Sequence, residues 1–389
     1  MKKYLKVLAL LLLCACLMPG SARGAAPQED PAALILQAAE AQRARYAQGG
    51  ALLSQQDLLP AGDSAVADWF AIAMARSGIP EDYDTYLVAL RRYVESAYAG
   101  EGLSLYKATE WHRIALAVTA LGGDASAFGT HSDGTPIDLI ADGCYNCVVE
   151  GGPGAQGLNG WIYALLTVDS GGYAAGESAV YTREDMLGAI LAAQAADGGF
   201  SLDGGPADAD ITAMALQALA PYADQYGEAI DRGLTALSAL QLENGGFSSW
   251  GAESAESSAQ VILALCALGL DPEREARFMK PGGDPVAALL RFRTEDGSFA
   301  HTDTADPMAT EQAMQALEAL RRLRAGEDSF FQMKDAAKPP QWTQQAAEAV
   351  PAADKRPGAA VYILPAVLLA AGTCGVLAVR KKKGSDVHE

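Results

Sequence analysis

The sequence predicts an all-α double ring of six helix pairs, and three observations predict it. The first is a recurring Gln-x-x-x-Gly-x-Phe: QAADGGF at Gln194–Phe200, QLENGGF at Gln241–Phe247, and RTEDGSF at Arg293–Phe299 with Arg in the Gln place. An Ala/Leu-rich run follows each copy, so the period is about fifty residues, the mark of stacked supersecondary units. The second is a set of fainter copies of those runs, at Asp63–Gly78, Thr109–Gly123 and Gly157–Ser170, which brings the number to six. The third is alternation. Glu81–Tyr98, Arg183–Gln194, Tyr226–Gln241 and Asp284–Arg293 keep apolar residues to one face, whereas the six runs are apolar nearly all round. Helices covered on both sides, alternating with about six amphipathic ones, describe an inner ring inside an outer ring.

Local chemistry supports each joint. Gly198-Gly199 and Gly245-Gly246 follow outer helices, where Gly accepts a left-handed conformation without steric cost. Phe200, Phe247 and Phe299 are expected to plug the gaps between neighbouring units.

The motif resembles the QW repeat of squalene and oxidosqualene cyclases. DADITA at Asp208–Ala213 resembles the acid motif of class II cyclases, and the resemblance extends over roughly residues 30–325. It implies the (α/α)6 toroid of the terpene cyclase and protein prenyltransferase superfamily. In that family the middle Asp of the motif is the general acid, which maps the role to Asp210 with Asp208 beside it; Ile211 stands where a third Asp would be.

The ends of the chain read as targeting segments. Residues 1–26 have a basic start, a short apolar core and small residues, as a signal peptide does; lipidation at Cys16 is the alternative at this end. Residues 27–325 form the ring and 326–358 a flexible stalk rich in Ala, Gln, Pro and charge. Residues 359–379 form a C-terminal transmembrane helix, and the basic tail 380–389 is cytoplasmic. The sequence-predicted fold class is therefore an all-α toroid plus one membrane span, with the ring outside the cell. A formal charge of −19 argues against nucleic acid as a partner.

Cys144 and Cys147 form a C-x-x-C in a Gly-rich loop, for which an oxidising compartment predicts a disulfide. Asp142 and Cys144 resemble the Asp-x-Cys zinc ligands of protein prenyltransferases, but about a dozen loop residues separate them from the next helix and no histidine completes the set, so no metal and no cofactor are expected. Aromatic residues concentrate on the first three inner runs, and the candidate ligand-binding residues are Trp69, Trp111, His112, Trp161 and Tyr163, with Glu256 and Glu311 at the starts of later runs. Against a catalytic Asp208–Asp210 pair stands helix capping, because every inner run opens with acidic or cap-type residues. The expected function is binding of a small or apolar ligand, or a surface protein, at the rim formed by the inner-helix starts; the alternative is a cyclase using Asp210 as acid.

Overall fold

The repeated motif works as a clasp between consecutive units. In the computed structural model, which describes residues 29–100, 102–249 and 251–336, Gln194 Nε2 donates to Gly198 O (2.8 Å) within its own turn and to Ala229 O (2.7 Å) in the next outer helix. Gln241 repeats this with Gly245 O and Phe278 O, both at 2.9 Å. Arg293 replaces Gln in the third copy and reaches Gln37, near the start of the chain. The third clasp thus closes the ring on its first helix. Gly198 and Gly245 have φ of 89° and 90°, and a Cβ there would lie 2.7 Å from backbone atoms of the next unit. Gly is therefore required by handedness and by space.

The chain divides into two units, Met1–Asp30 and Pro31–Glu389, and the second holds every element described here. Its outer helices are α1 (Pro31–Tyr46), α3 (Tyr83–Tyr98), α6 (Arg183–Ala192), α8 (Ala223–Leu240) and α10 (Pro285–Leu290). Its inner helices are α2 (Ala65–Arg76), α4 (Ala108–Ala120), α5 (Leu158–Ser170), α7 (Ala209–Leu219), α9 (Ala255–Ala267) and α11 (Pro307–Ala325). Each inner helix packs on the next in that order, and α11 packs back on α2. A two-stranded antiparallel ribbon, β1 (Ser248–Ser249) with β2 (Ala252–Glu253), edges one rim loop.

The core lies between the rings. Phe200, Phe247 and Phe299 are fully buried, each stabilising its junction by about 1.5–3 kcal/mol relative to exposure. The turn backbone is locked to the inner helix as well: Thr212 Oγ1 accepts from Phe200 N and Thr310 Oγ1 from Phe299 N, both at 2.9 Å.

Three expectations need correction. Strict alternation fails in the third unit, where the outer position is filled by a Gly-rich loop with a π-helical turn at Ala141–Tyr145. Gly326–Ala336 is no free stalk. Arg76 Nε donates to Phe330 O (3.0 Å), Arg322 Nε to Asp328 O (2.7 Å) and Met333 N to Ser170 O (2.8 Å). These bonds draw the segment across the C-terminal mouth of the inner ring, where buried Phe330 and Phe331 leave a void of only about 20 Å³ beside Leu166 and Leu263.

The third correction concerns the membrane helix. Among the described residues no helix is long and apolar enough to cross a membrane; the longest, α11, carries Glu311, Glu318, Arg321, Arg322 and Arg324. Among the described residues the fold is the toroid, and none of their helices forms a span. Residues 359–379, like the signal peptide, the rest of the stalk and the tail, lie outside the described residues.

Candidate functional site

The lumen is identified by contacts between inner helices that are not neighbours. Trp69 on α2 and Tyr163 on α5 meet at 6.0 Å between ring centroids although α4 separates their helices, so both project inward. Phe331 approaches Trp69 edge-on at 6.5 Å from the C-terminal side. Burial, followed by Glu311 and then Asp210, holds the Tyr163 hydroxyl far above its ordinary pKa, so both carboxyls are near enough to act on it.

The acidic half comes from α7, α9 and α11. Asp208 is the N-cap of α7: its Oδ1 accepts from Asp210 N (2.9 Å) and Ile211 N (3.0 Å), and its Oδ2 from Ser249 Oγ. Capping and chemistry therefore divide between the two residues. Asp208 caps; Asp210 does not, and lies 3% exposed with its Oδ1 lacking a hydrogen-bond partner. Burial pushes the Asp210 carboxyl up to about 7, Asp208 and Glu256 add to the effect, and the hydroxyls of Ser257 and Ser249 oppose it.

Glu256 occupies the same position after its cap, Ser254, as Asp210 does after Asp208. Its Oε1 is 2.9 Å from His301 Nδ1, and its buried Oε2 has no partner. Burial raises its pKa, opposed by its own backbone N–H and by His301. Glu311 is buried a turn deeper, bonded by Gln315 Nε2; burial holds it well above the carboxylate range, with Glu256 and Asp306 adding to the shift. Below lies a ladder of amides: Gln217 Nε2 donates to Gln260 Oε1 (3.0 Å), and Gln260 Nε2 to Gln312 Oε1 (3.1 Å).

Buried polar atoms without a hydrogen-bond partner include Trp69 Nε1 on α2, Asn159 Oδ1 on α5, Asp210 Oδ1 on α7, Glu256 Oε2 on α9 and Gln312 Nε2 on α11. Buried polar groups are nearly always satisfied, and each exception calls for an explanation.

The other expected residues lie elsewhere. Trp111 points to the outer layer, where Nε1 donates to Ser104 O (2.9 Å) and the ring packs on Tyr98. His112 follows it outward, with Nε2 2.9 Å from Gly143 O in the π turn; burial pushes its pKa down to about 4, leaving it neutral at pH 7. Trp161 packs on Tyr181 between units. The expected aromatic cup thus reduces to Trp69 and Tyr163.

Cys144 and Cys147 are both free thiols rather than a disulfide. Cys144 is buried on the π turn and Cys147 partly so, and burial raises both pKa values, suppressing the thiolates that oxidation requires. No group of three His, Cys, Asp or Glu among the described residues is arranged to hold a metal ion. A shallow groove of about 670 Å³ lies at the closing seam between α1 and the 293–297 turn, where Arg45 pairs with Asp296 and Arg293 bonds Gln37 beside Glu40 and Glu295.

Sequence reasoning passed over His301. The signal is a register: the residue two after each motif Phe reaches back to the preceding inner-helix start. Leu202 O accepts from Leu158 N (3.2 Å), Ser249 bonds Asp208, and His301 bonds Glu256.

No family model and no curated protein matches this sequence. Among solved structures the chain is similar to a Candida albicans protein geranylgeranyltransferase-I complexed with GGPP, at TM-score 0.50 and 13% identity over 81% of this chain and 97% of that one. At this identity the likeness shows the fold alone, the α/α toroid of the protein prenyltransferase kind.

Proposed function

We propose that the ring binds a small, largely apolar ligand in its lumen, entering at the rim of inner-helix N-termini. What supports this reading is the Trp69–Tyr163 contact across the ring together with buried polar atoms left without partners on α2, α5, α7, α9 and α11. Apolar walls with a few convergent polar groups are the usual makeup of a ligand site, and a bound molecule would satisfy atoms that the fold leaves orphaned. Native mass spectrometry of the gently purified full chain tests it: a small molecule is expected to copurify and to be lost from Trp69→Ala. A bare chain mass, together with an unchanged melting temperature across an apolar-ligand library, would refute it.

A cyclase-like enzyme is the second reading, favoured by one observation: Asp210 stays largely protonated up to about pH 7, as a proton donor must be. The same environment counts against it. Neighbouring carboxyls stabilise the neutral form and so make Asp210 a weak acid, whereas protonating an alkene needs a strong one. Turnover of squalene to a cyclic product, lost in Asp210→Asn, would establish this second reading.

A further inference from the structure

The lumen is divided chemically. Trp69 and Tyr163 meet from α2 and α5; Asp210, Glu256 and Glu311, each at most 3% exposed, come from α7, α9 and α11. Three buried carboxyls normally come with cations, because an uncompensated buried charge is costly. Here neither Asp210 nor Glu311 has a Lys or Arg beside it among the described residues, and Glu256 has only His301. Two carboxyl oxygens, Asp210 Oδ1 and Glu256 Oε2, are buried with nothing to accept from. A metal does not answer the need, since the side chains are not arranged to hold one.

We propose that the carboxyl cluster is the recognition end of a site for a free primary alkylamine, whose ammonium group sits between Asp210 and Glu256 while its chain lies against Trp69 and Tyr163. This rests on the lumen-binding reading and gives it a ligand class. An ammonium carries three donors, two of which would answer the orphaned oxygens of Asp210 and Glu256. Charge attraction in a poorly solvated lumen is strong, and the faces of Trp69 and Tyr163 add cation–π attraction. His301 is the part of the rim that must yield: its side chain is 30% exposed and sits on Glu256.

Protonation makes the site distinctive. The groups facing Asp210 are Asp208 on its own cap, Tyr163 from α5 and Glu256 from α9; those facing Glu256 are His301 and Asp306 from the next rim loop and Glu311 from α11. An arriving cation displaces a proton from this set, so binding strengthens with rising pH.

The experiment is isothermal titration of the full chain with n-hexylammonium, with hexan-1-ol as the uncharged match. At pH 8 hexylammonium is expected to bind at least about ten-fold more tightly than hexanol, and to weaken by about ten-fold per pH unit below 7, with one proton released per ligand in buffers of different ionisation enthalpy. Asp210→Asn and Glu256→Gln are each expected to bring the two affinities within about three-fold. If one variant fails to fold, the other and the pH profile of the unaltered chain still decide. Equal binding of amine and alcohol would overturn the amine proposal while leaving a lumen that takes apolar ligands. Absence of amine binding would overturn it too, whereas the broader reading stands or falls on what copurifies.

Discussion

Replacing Asp210 by Asn should make the ring more stable at alkaline pH, an unusual result for the loss of an acid from a family-like motif. The Asp210 carboxyl titrates at about 7 in the fold and near 3.8 when solvated. Folding therefore takes up a proton between those values. The stability this gives is complete below about pH 4 and is lost as pH rises toward 7. The pKa is higher in the fold by about three, and each whole step is worth roughly 1.4 kcal/mol, so the loss is about 4 kcal/mol, an upper bound because the neighbouring carboxyls titrate together with it. Asn has nearly the same shape and no charge at any pH. Nor does it disturb the cap, since Asp208 and not Asp210 accepts the first amide protons of α7.

Urea unfolding of parent and variant at pH 5 and pH 8 measures the effect directly. At pH 5, already above the solvated pKa, the variant should lead by about 1.5 kcal/mol, and at pH 8 by up to about 4 kcal/mol. Parallel pH curves for the two proteins would refute the placement of Asp210 as an uncompensated buried carboxyl. A variant destabilised equally at both pH values would show that hydrogen bonds to Asp210, such as those from the Ser257 and Ser249 hydroxyls, outweigh the cost of burying its charge.

His112 predicts the opposite slope. It is neutral in the fold with a pKa of about 4 and solvated near 6.5, so its stability is lost as pH falls through that interval, by at most about 3 kcal/mol; His112→Gln should flatten the acid limb, and an unchanged limb would count against its burial. Phe247→Ala should cost about 3–5 kcal/mol because the ring is fully buried; an unshifted melting temperature would contradict the repeat register. Iodoacetamide should label neither Cys144 nor Cys147 rapidly in the folded chain and both after unfolding without reductant. Failure to label the unfolded chain would restore the disulfide.

The fold was legible because the Gln-x-x-x-Gly-x-Phe turn is a mechanism as well as a pattern. One amide closes its own turn and clasps the next helix, one Gly permits the approach, and one Phe fills the joint. The site was legible only where position along a helix was enough. Asp210, Glu256 and Glu311 fall near inner-helix starts, and so the carboxyl cluster could be assembled from spacing. Which way a residue faces could not, because a helix buried all round has no polar face to orient it. Trp69 and Trp111 are equally apolar neighbours near equivalent starts, yet one enters the lumen and the other turns outward to Tyr98 and Ser104. His301 was hidden for a different reason: it sits on a loop, where helical period says nothing, and only the backbone register of the motif ties it to Glu256.

The division of labour at the start of α7 follows from the same limit. Sequence reading treats Asp208 and Asp210 as one acidic pair that either caps or reacts. A cap residue has extended backbone and turns its side chain back over the first amides, as Asp208 does at φ −112° and ψ 140°. Two residues later the backbone is helical and the side chain leaves along the helix wall, which on an inner helix leads to the lumen. Capping by the first Asp is thus what releases the second from the cap, and the repeat of that step at Ser254 and Glu256 leaves one unpartnered oxygen on each of two buried carboxyls. An enzyme that protonates alkenes would want them apart or one of them absent; a pocket for a cation gains from both.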